Sequence, residues 1–268
     1  MALDLGGSLK RLVDQDRVVL ENLAAWAGLE EAQLEELLSW TGEPIGDIRT
    51  RFRGEIFVSR ALRSPNVQGC PHCLRDDPVS ALEDPLTAMA MLGHWQMREM
   101  VICATHCTLL VPLWTAQHPT ARNDLTARLT GILPKILSRD IDGQAVAPTG
   151  YDRWLEQRLD GGEDTTWLSG QSLYATRTFC RMLGGELLRI SGHDAADPQA
   201  FRHASLAAGF DVVRQGPDAI RRALDDLPPR RTAFWTSRRR RSDQSGRICG
   251  ISIRTMKPSR RSRTLSEP

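Results

Sequence analysis

The 268-residue chain is 41% hydrophobic with a formal net charge of only +2, enough apolar material for an ordinary folded core. Its longest apolar stretch, Met100 to Trp114, is broken by Thr105, His106 and Pro112 and is too short to cross a bilayer, and the first residues show no basic segment leading into an apolar one, so a cytoplasmic protein with no membrane partner is expected. The charge is lopsided: Pro229 to Pro268 holds 12 Lys/Arg against 2 Asp/Glu (+10), and the residues before it hold 23 against 31 (−8), which argues against a body that grips DNA over its whole surface.

From Ser8 to Trp40 apolar residues recur at helical spacing. Gly28 divides them, so that Asp16 to Trp26 and Glu30 to Trp40 read as two helices joined by a tight turn, the outline of a helix-turn-helix. Ala24 and Gly28, four residues apart, suit a close helix crossing. The second helix carries Glu30, Glu31, Glu35 and Glu36 with no Lys or Arg, which favours a packing or protein-contact unit over insertion into a DNA groove. Between Ile48 and Leu62, β-branched and aromatic residues alternate with arginines around Gly54, and a hairpin leading into the next segment is expected. Arg49, Arg51, Arg53, Arg60 and Arg63 make this the most basic part of the body, in the pattern of a solvated strand face.

The next segment carries the chemistry. Cys70-Pro-His-Cys73 and Cys103-Ala-Thr-His106 are two half-sites, each with two residues between its ligands, which lets a tight turn aim both side chains at one point. Together they supply the four N/S donors of a tetrahedral zinc site. Three thiolates and one imidazole fill that shell and leave no position for a catalytic water. In a reducing compartment this suits six irregularly spaced cysteines better than a disulfide framework does. Cys107, next to His106, could replace it as the fourth ligand; His106 is preferred because its spacing mirrors the first half-site. His72 and His94 are expected near the site or at the surface, and Cys180 and Cys249 outside it. An enzyme with Cys107 as nucleophile, helped by His94, Asp76 or Asp77, is disfavoured because the neighbouring His106 would be tied to zinc and could not serve as base.

Beyond the half-sites, helices are expected over Thr120 to Ser138, Tyr151 to Leu159, Ser172 to Leu183, Pro198 to Ala208 and Pro217 to Leu227. Pro198 and Pro217 suit first helical positions, and Gly184-Gly185 and Gly209 are expected to follow helix ends. Trp154, Trp167, Tyr174 and Phe179 are expected in the core of the resulting bundle. From Pro229 the Arg/Ser-rich composition predicts a disordered tail.

The order Arg60-Ala-Leu-Arg63, Cys70-Pro-His-Cys73-Leu74-Arg75-Asp76-Asp77, His94-Trp95-Gln96-Met97-Arg98, Cys103-x-x-His106 and Leu109-Leu110-Val111-Pro112-Leu113 resembles the TniQ family of transposition proteins. The resemblance is dense from Ser8 to Trp114 and does not reach the tail. It implies a non-enzymatic target-selection adaptor that links an AAA+ ATPase transposition regulator and a transposase to DNA, either directly or through another DNA-bound complex, with room for a homodimer. It implies zinc ligation by Cys70, Cys73, Cys103 and His106, with Trp95 and Arg98 packing and bracing the ribbon. Cys107 departs from the family, which often has glycine or a basic residue there, and a second complete cysteine knuckle is missing. The alternative is a small zinc-dependent DNA-binding regulator, a domesticated relative no longer active in transposition. The expected architecture is mainly α with a small zinc-ribbon β element: a helix-turn-helix-like unit over 1–48, a zinc-ribbon module over 49–118, a C-terminal helical bundle over 119–228 and the basic tail over 229–268.

Overall fold

The computed structural model describes residues 6–62, 64–79, 85–117, 125–193 and 196–228, and expectations for Arg63, the start of the Thr120 helix, Cys249 and the tail fall outside them. The chain opens with three short helices, α1 (Leu9–Val13), α2 (Arg17–Ala27) and α3 (Glu31–Ser39). Asp16 caps α2, its carboxylate accepting from the Val19 N–H while also pairing with Arg11 at 2.8 Å. Gly28 ends α2 in the left-handed conformation, φ 66°. A Cβ there would meet nothing within 4 Å, so Gly28 supplies a turn and not the close crossing expected of it.

A three-stranded antiparallel sheet follows: β1 (Glu43–Ile45), β2 (Arg49–Phe52) and β3 (Glu55–Val58) in that order. The β2–β3 turn is Arg53-Gly54, both with positive φ (50° and 75°), the two-residue loop whose twist matches that of the flanking strands. The two-residue alternation sends Thr50 and Phe52 inward and Arg49 and Arg51 to solvent. Arg53 does not join that solvated row. Its guanidinium donates to the carbonyls of Leu159 and Asp160, to Glu36 and to Ser39, and it lies 4.5 Å over the Trp40 ring, tying α3 to the body.

The middle of the chain pairs β4 (Asn66–Gly69) with β7 (Val111–Thr115) and β5 (Ile102–Cys103) with β6 (Thr108–Leu109), both antiparallel. Between them lie α4 (Pro71–Val79) and α5 (Pro85–Ala88), with a 3-10 turn over Gly93–Gln96. The helical half comprises α6 (Leu125–Leu137), α7 (Gly150–Asp160), α8 (Leu173–Ile190), α9 (Pro198–Val213) and α10 (Pro217–Asp225). The described residues are therefore mainly helical with small antiparallel sheets, and none of their helices is long and apolar enough to cross a membrane.

Pro198 and Pro217 do occupy first turns, behind Asp197 and Gly216. The internal glycines do something else. Both α8 and α9 continue past the ends expected at Leu183 and Ala208, and a Cβ on Gly184 would stand 1.9 Å from the Ser205 carbonyl oxygen, one on Gly209 1.9 Å from that of Cys180. These glycines are the notches where α8 and α9 cross backbone to backbone, a packing reason that overrides their low helix propensity.

One apolar core runs from Phe52 and Phe57 through Leu74, Trp95, Met97 and Ile102 to Leu155, Leu183 and Phe210. Trp154 belongs to it, while Trp167 stays 39% exposed, its indole N–H donating to the Val213 carbonyl, and Tyr174 and Phe179 pack at its edge. Buried charges stitch sheet to helices. Arg158 on α7 pairs with Glu55 of β3 at 2.6 Å and with Asp164 at 3.0 Å, and donates to the carbonyls of Leu168 and Gln171. Arg177 on α8 meets the Glu99 carboxylate and lies over the Phe57 and Tyr174 rings.

Candidate metal centre

The two half-sites are presented by different local structures. The first is a strand-to-helix turn: β4 ends at Gly69, Cys70 follows, and Pro71 opens α4, whose first turn carries Cys73. Proline suits that position because it needs no N–H there. The second is a hairpin turn between β5, which ends in Cys103, and β6, with His106 in the turn. Gly69 lets β4 pass close beside Trp95, since a Cβ there would sit 3.0 Å from the ring and 2.7 Å from Leu113.

These turns bring Cys70, Cys73, Cys103 and His106 together, with all four donor atoms within 4.8 Å of one another. The Cys73 and Cys103 sulfurs are 3.5 Å apart, and His106 Nδ1 lies 3.7, 3.3 and 3.6 Å from the sulfurs of Cys70, Cys73 and Cys103. An ion held tetrahedrally at about 2.3 Å from sulfur and about 2.0 Å from nitrogen would impose S···S separations near ~3.8 Å and S···N near ~3.5 Å. The cluster therefore has the dimensions of a tetrahedral metal shell. Cys70 and Cys103 are buried; Cys73 and His106 are half-buried.

The electrostatics agree. Three sulfurs at this spacing cannot all ionise without a cation among them: hydrogen bonding to Cys103 and Cys70, then burial, raises the Cys73 pKa far above the ordinary thiol value, while hydrogen bonds from Cys103 and Cys73 lower that of Cys70. A bound metal ion would favour the thiolate form of all three.

The surroundings fix the imidazole. His106 Nε2 lies 2.7 Å from Asp76 Oδ2, so the carboxylate accepts the Nε2 proton and leaves Nδ1 facing the sulfurs, the arrangement that orients a metal-bound histidine. His72 stacks on His106 with ring centroids 5.3 Å apart, and Arg75 holds His72 on one side and Asp142 on the other, the latter through two hydrogen bonds of 2.6 and 2.8 Å. The cluster also gains a neighbour from the link between α6 and α7. There the Leu109 N–H donates to Gln144 and the Val146 N–H to Cys107, so that residues 144–146 run alongside β6. Gly143 permits the approach, since a Cβ there would lie 1.9 Å from the Leu109 carbonyl oxygen.

The remaining candidates stand apart. Cys107 adopts a left-handed φ of 50°, a conformation glycine tolerates best, and its exposed sulfur faces the Ala104 carbonyl instead of the cluster. His94 packs against Trp40 and Trp95, and burial lowers its pKa. Cys180 is buried in α8, its thiol pushed up to about 12 by burial. The Asp77 side chain lies outside the described residues. Asp76 was within reach of sequence reasoning, because it follows Cys73 by three residues and thus shares its helix face. Asp142 and Gly143, some seventy positions downstream of the first half-site, carry no local signal.

No curated protein and no solved structure matches the chain. The family model of TniQ does, over residues 2–110, a segment that contains α1 to α3, the β1–β3 sheet, the β5–β6 hairpin and all four clustered donors. Through this segment, the chain is similar to the TniQ family.

Proposed function

We propose that Cys70, Cys73, Cys103 and His106 bind one structural zinc ion, and that the platform it closes acts as a TniQ-type adaptor coupling transposition machinery to its target. The observation that carries this reading is a complete four-donor shell inside the family-matched segment. Zinc suits a tetrahedral set of three thiolates and one imidazole, and such a full shell serves architecture instead of water activation. The ion would neutralise the clustered thiolates and contribute on the order of 10 kcal/mol to folding. Asp76 would hold the His106 ring in register, and the Arg75–Asp142 pair would brace His72 against it.

The two helices α2 and α3 fit the helix-turn-helix outline, and their surface speaks for a protein partner. No residue of α3 is buried, Glu30, Glu31 and Glu35 face solvent, and Trp26 and Leu37 are 72% and 54% exposed. Carboxylates beside uncovered apolar side chains suit a protein surface better than a phosphate-lined groove. In this reading an AAA+ ATPase regulator or transposase docks on α2–α3, and DNA is reached through that partner or another DNA-bound complex.

Elemental analysis of purified protein tests the metal: about one zinc per chain is expected, lost together with the folded state in chelator, and absent from Cys73→Ser. Zinc-loaded protein is expected to retain an AAA+ ATPase transposition regulator or a transposase. A zinc-loaded chain that retains neither, yet protects one operator in a footprint, would replace the adaptor with the DNA-binding regulator.

A further inference from the structure

Away from the metal cluster, the start of α9 and the segment after the 3-10 turn enclose a cleft of about 120 Å³. Its lining includes Ser64, Asn66, Trp95, Arg98, Gln199 and Arg202, and contains no carboxylate. Gln199 and Arg202 share one face of α9. The first donates to the Leu110 carbonyl at 3.3 Å and the second to the Arg98 carbonyl at 3.3 Å, which sets the two arginines side by side.

What the cleft offers is donors. Trp95 is 3% exposed, and its indole N–H has no acceptor although it is buried, an uncommon and unfavourable state for a donor. Asn66 uses its amide oxygen to accept from Thr115 at 3.0 Å, leaving its NH₂ free. Ser64 accepts from the Asn66 N–H, leaving its hydroxyl hydrogen to give. Among the described residues no carboxylate forms an ion pair with Arg98, with Arg202 or with nearby Arg181. Burial, followed by the cations of Arg98 and Arg181, holds the Arg202 pKa below its ordinary value. In a body whose charge is −8, a cluster of arginines with no carboxylate paired to them is out of character unless an anion joins it.

We infer that this cleft binds a phosphate group, with the Trp95 indole N–H, the Arg98 and Arg202 guanidiniums and the Asn66 amide as donors. Four donors on residues that line one cleft, two of them charged, suit the oxygens of a tetrahedral dianion or of a phosphodiester, and arginine is the side chain best shaped for them. A phosphodiester would come from a nucleic-acid backbone, a dianion from free phosphate. The site stands on the fold alone. Only its use on DNA rests on the adaptor reading, to which it would add a single direct grip on the backbone.

The test uses the full chain, zinc-loaded, with inorganic phosphate as first probe and acetate and chloride at equal ionic strength as controls. The Trp95 indole ¹⁵N–¹H resonance, assigned by its loss in Trp95→Phe, is expected to shift saturably with phosphate and not with the controls. In Arg98→Gln/Arg202→Gln, changed only at exposed or half-exposed positions, the other indole resonances should stay in place while the Trp95 shift disappears. Duplex DNA is the second probe. If the backbone is the source, the double variant loses roughly tenfold in affinity and its log K against log [salt] slope falls by about 1; the basic tail is present in both proteins and cancels. An unchanged duplex affinity with the phosphate response intact assigns the site to free phosphate, and retention of the ATPase partner reports separately on the adaptor role. A Trp95 resonance unmoved by phosphate, or moved as much by acetate, overturns the inference.

Discussion

Replacing Gly184 by alanine is expected to destabilise the protein, although alanine is the better helix former. The added methyl would stand 1.9 Å from the Ser205 carbonyl oxygen and 2.5 Å from the Gly209 nitrogen. Non-bonded heavy atoms rest at about 3.5 Å, so α8 and α9 would have to part by roughly 1.5 Å at their crossing. The atoms met are backbone, so no rotamer change relieves them, and the cost falls toward the upper end of the range for overpacking, about 3 kcal/mol. Helix propensity returns about 1 kcal/mol, leaving a net loss near 2 kcal/mol. For a body of this size that lowers Tm by about 4–8 °C. The control is Gly131→Ala, also inside a helix, where the new Cβ meets nothing within 4 Å. There propensity acts alone, and a gain approaching 1 kcal/mol, about 2–4 °C, is expected. Thermal melts followed by circular dichroism on zinc-loaded protein decide the matter. If Gly184→Ala melts at or above the parent while Gly131→Ala behaves as stated, the backbone-to-backbone crossing is not what the glycine is for.

Three further changes follow from the geometry. Asp76→Ala removes the acceptor from His106 Nε2 and is expected to weaken metal affinity by about 10–100-fold without abolishing binding, read by competition with a chromophoric chelator. Arg53→Ala cuts the ties from the β2–β3 turn to Glu36, Ser39, Leu159 and Asp160, and hydrogen exchange in α2–α3 should rise by about tenfold or more while the amides of α8 stay protected. Burial works to raise the Asp152 pKa, but hydrogen bonds from His203 at 2.8 Å and from Thr149 outweigh it, so the folded-state value lies below the ordinary 3.8. The unfolded chain then binds the extra proton first. The stabilisation is complete above about pH 5 and fades as pH falls through and below that value, and Asp152→Asn should flatten this part of the acid-unfolding curve while lowering stability at neutral pH.

Features set by neighbouring residues could be read from the sequence, and those set by distant ones could not. The helices on either side of Gly28, the hairpin at Gly54 and the two-residue gap inside each half-site depend on spacing within a dozen positions, and each stands within a residue or two of its expected place; the half-sites themselves, 30 positions apart, could be paired only because each is incomplete without the other. Gly184 and Gly209 misled because a glycine near a plausible helix end looks the same whether it stops the helix or admits a neighbour; only the partner helix distinguishes the two. The pairing of residues 144–146 with the metal hairpin, the Arg158 network reaching Glu55 and the Arg98–Arg202 cleft all join segments dozens of positions apart, and no local periodicity encodes such meetings. Arg53 sat in a row of alternating arginines that suggested solvent on every member. Its place in the turn, with φ positive, is what swings it back onto Trp40.

The two turns that carry the clustered donors are each short, and the stretch between them places its working residues near its ends, Arg75 and Asp76 at one and the buried Trp95, Met97 and Ile102 at the other. Closing a loop grows costlier only with the logarithm of its length, about 0.6 kcal/mol per doubling, a small debit beside the energy a bound ion would supply. Relatives can therefore be expected to vary freely in how much chain they carry across this interval while holding the two-residue gap inside each turn fixed, and a reporter peptide spliced into it should leave the clamp shut.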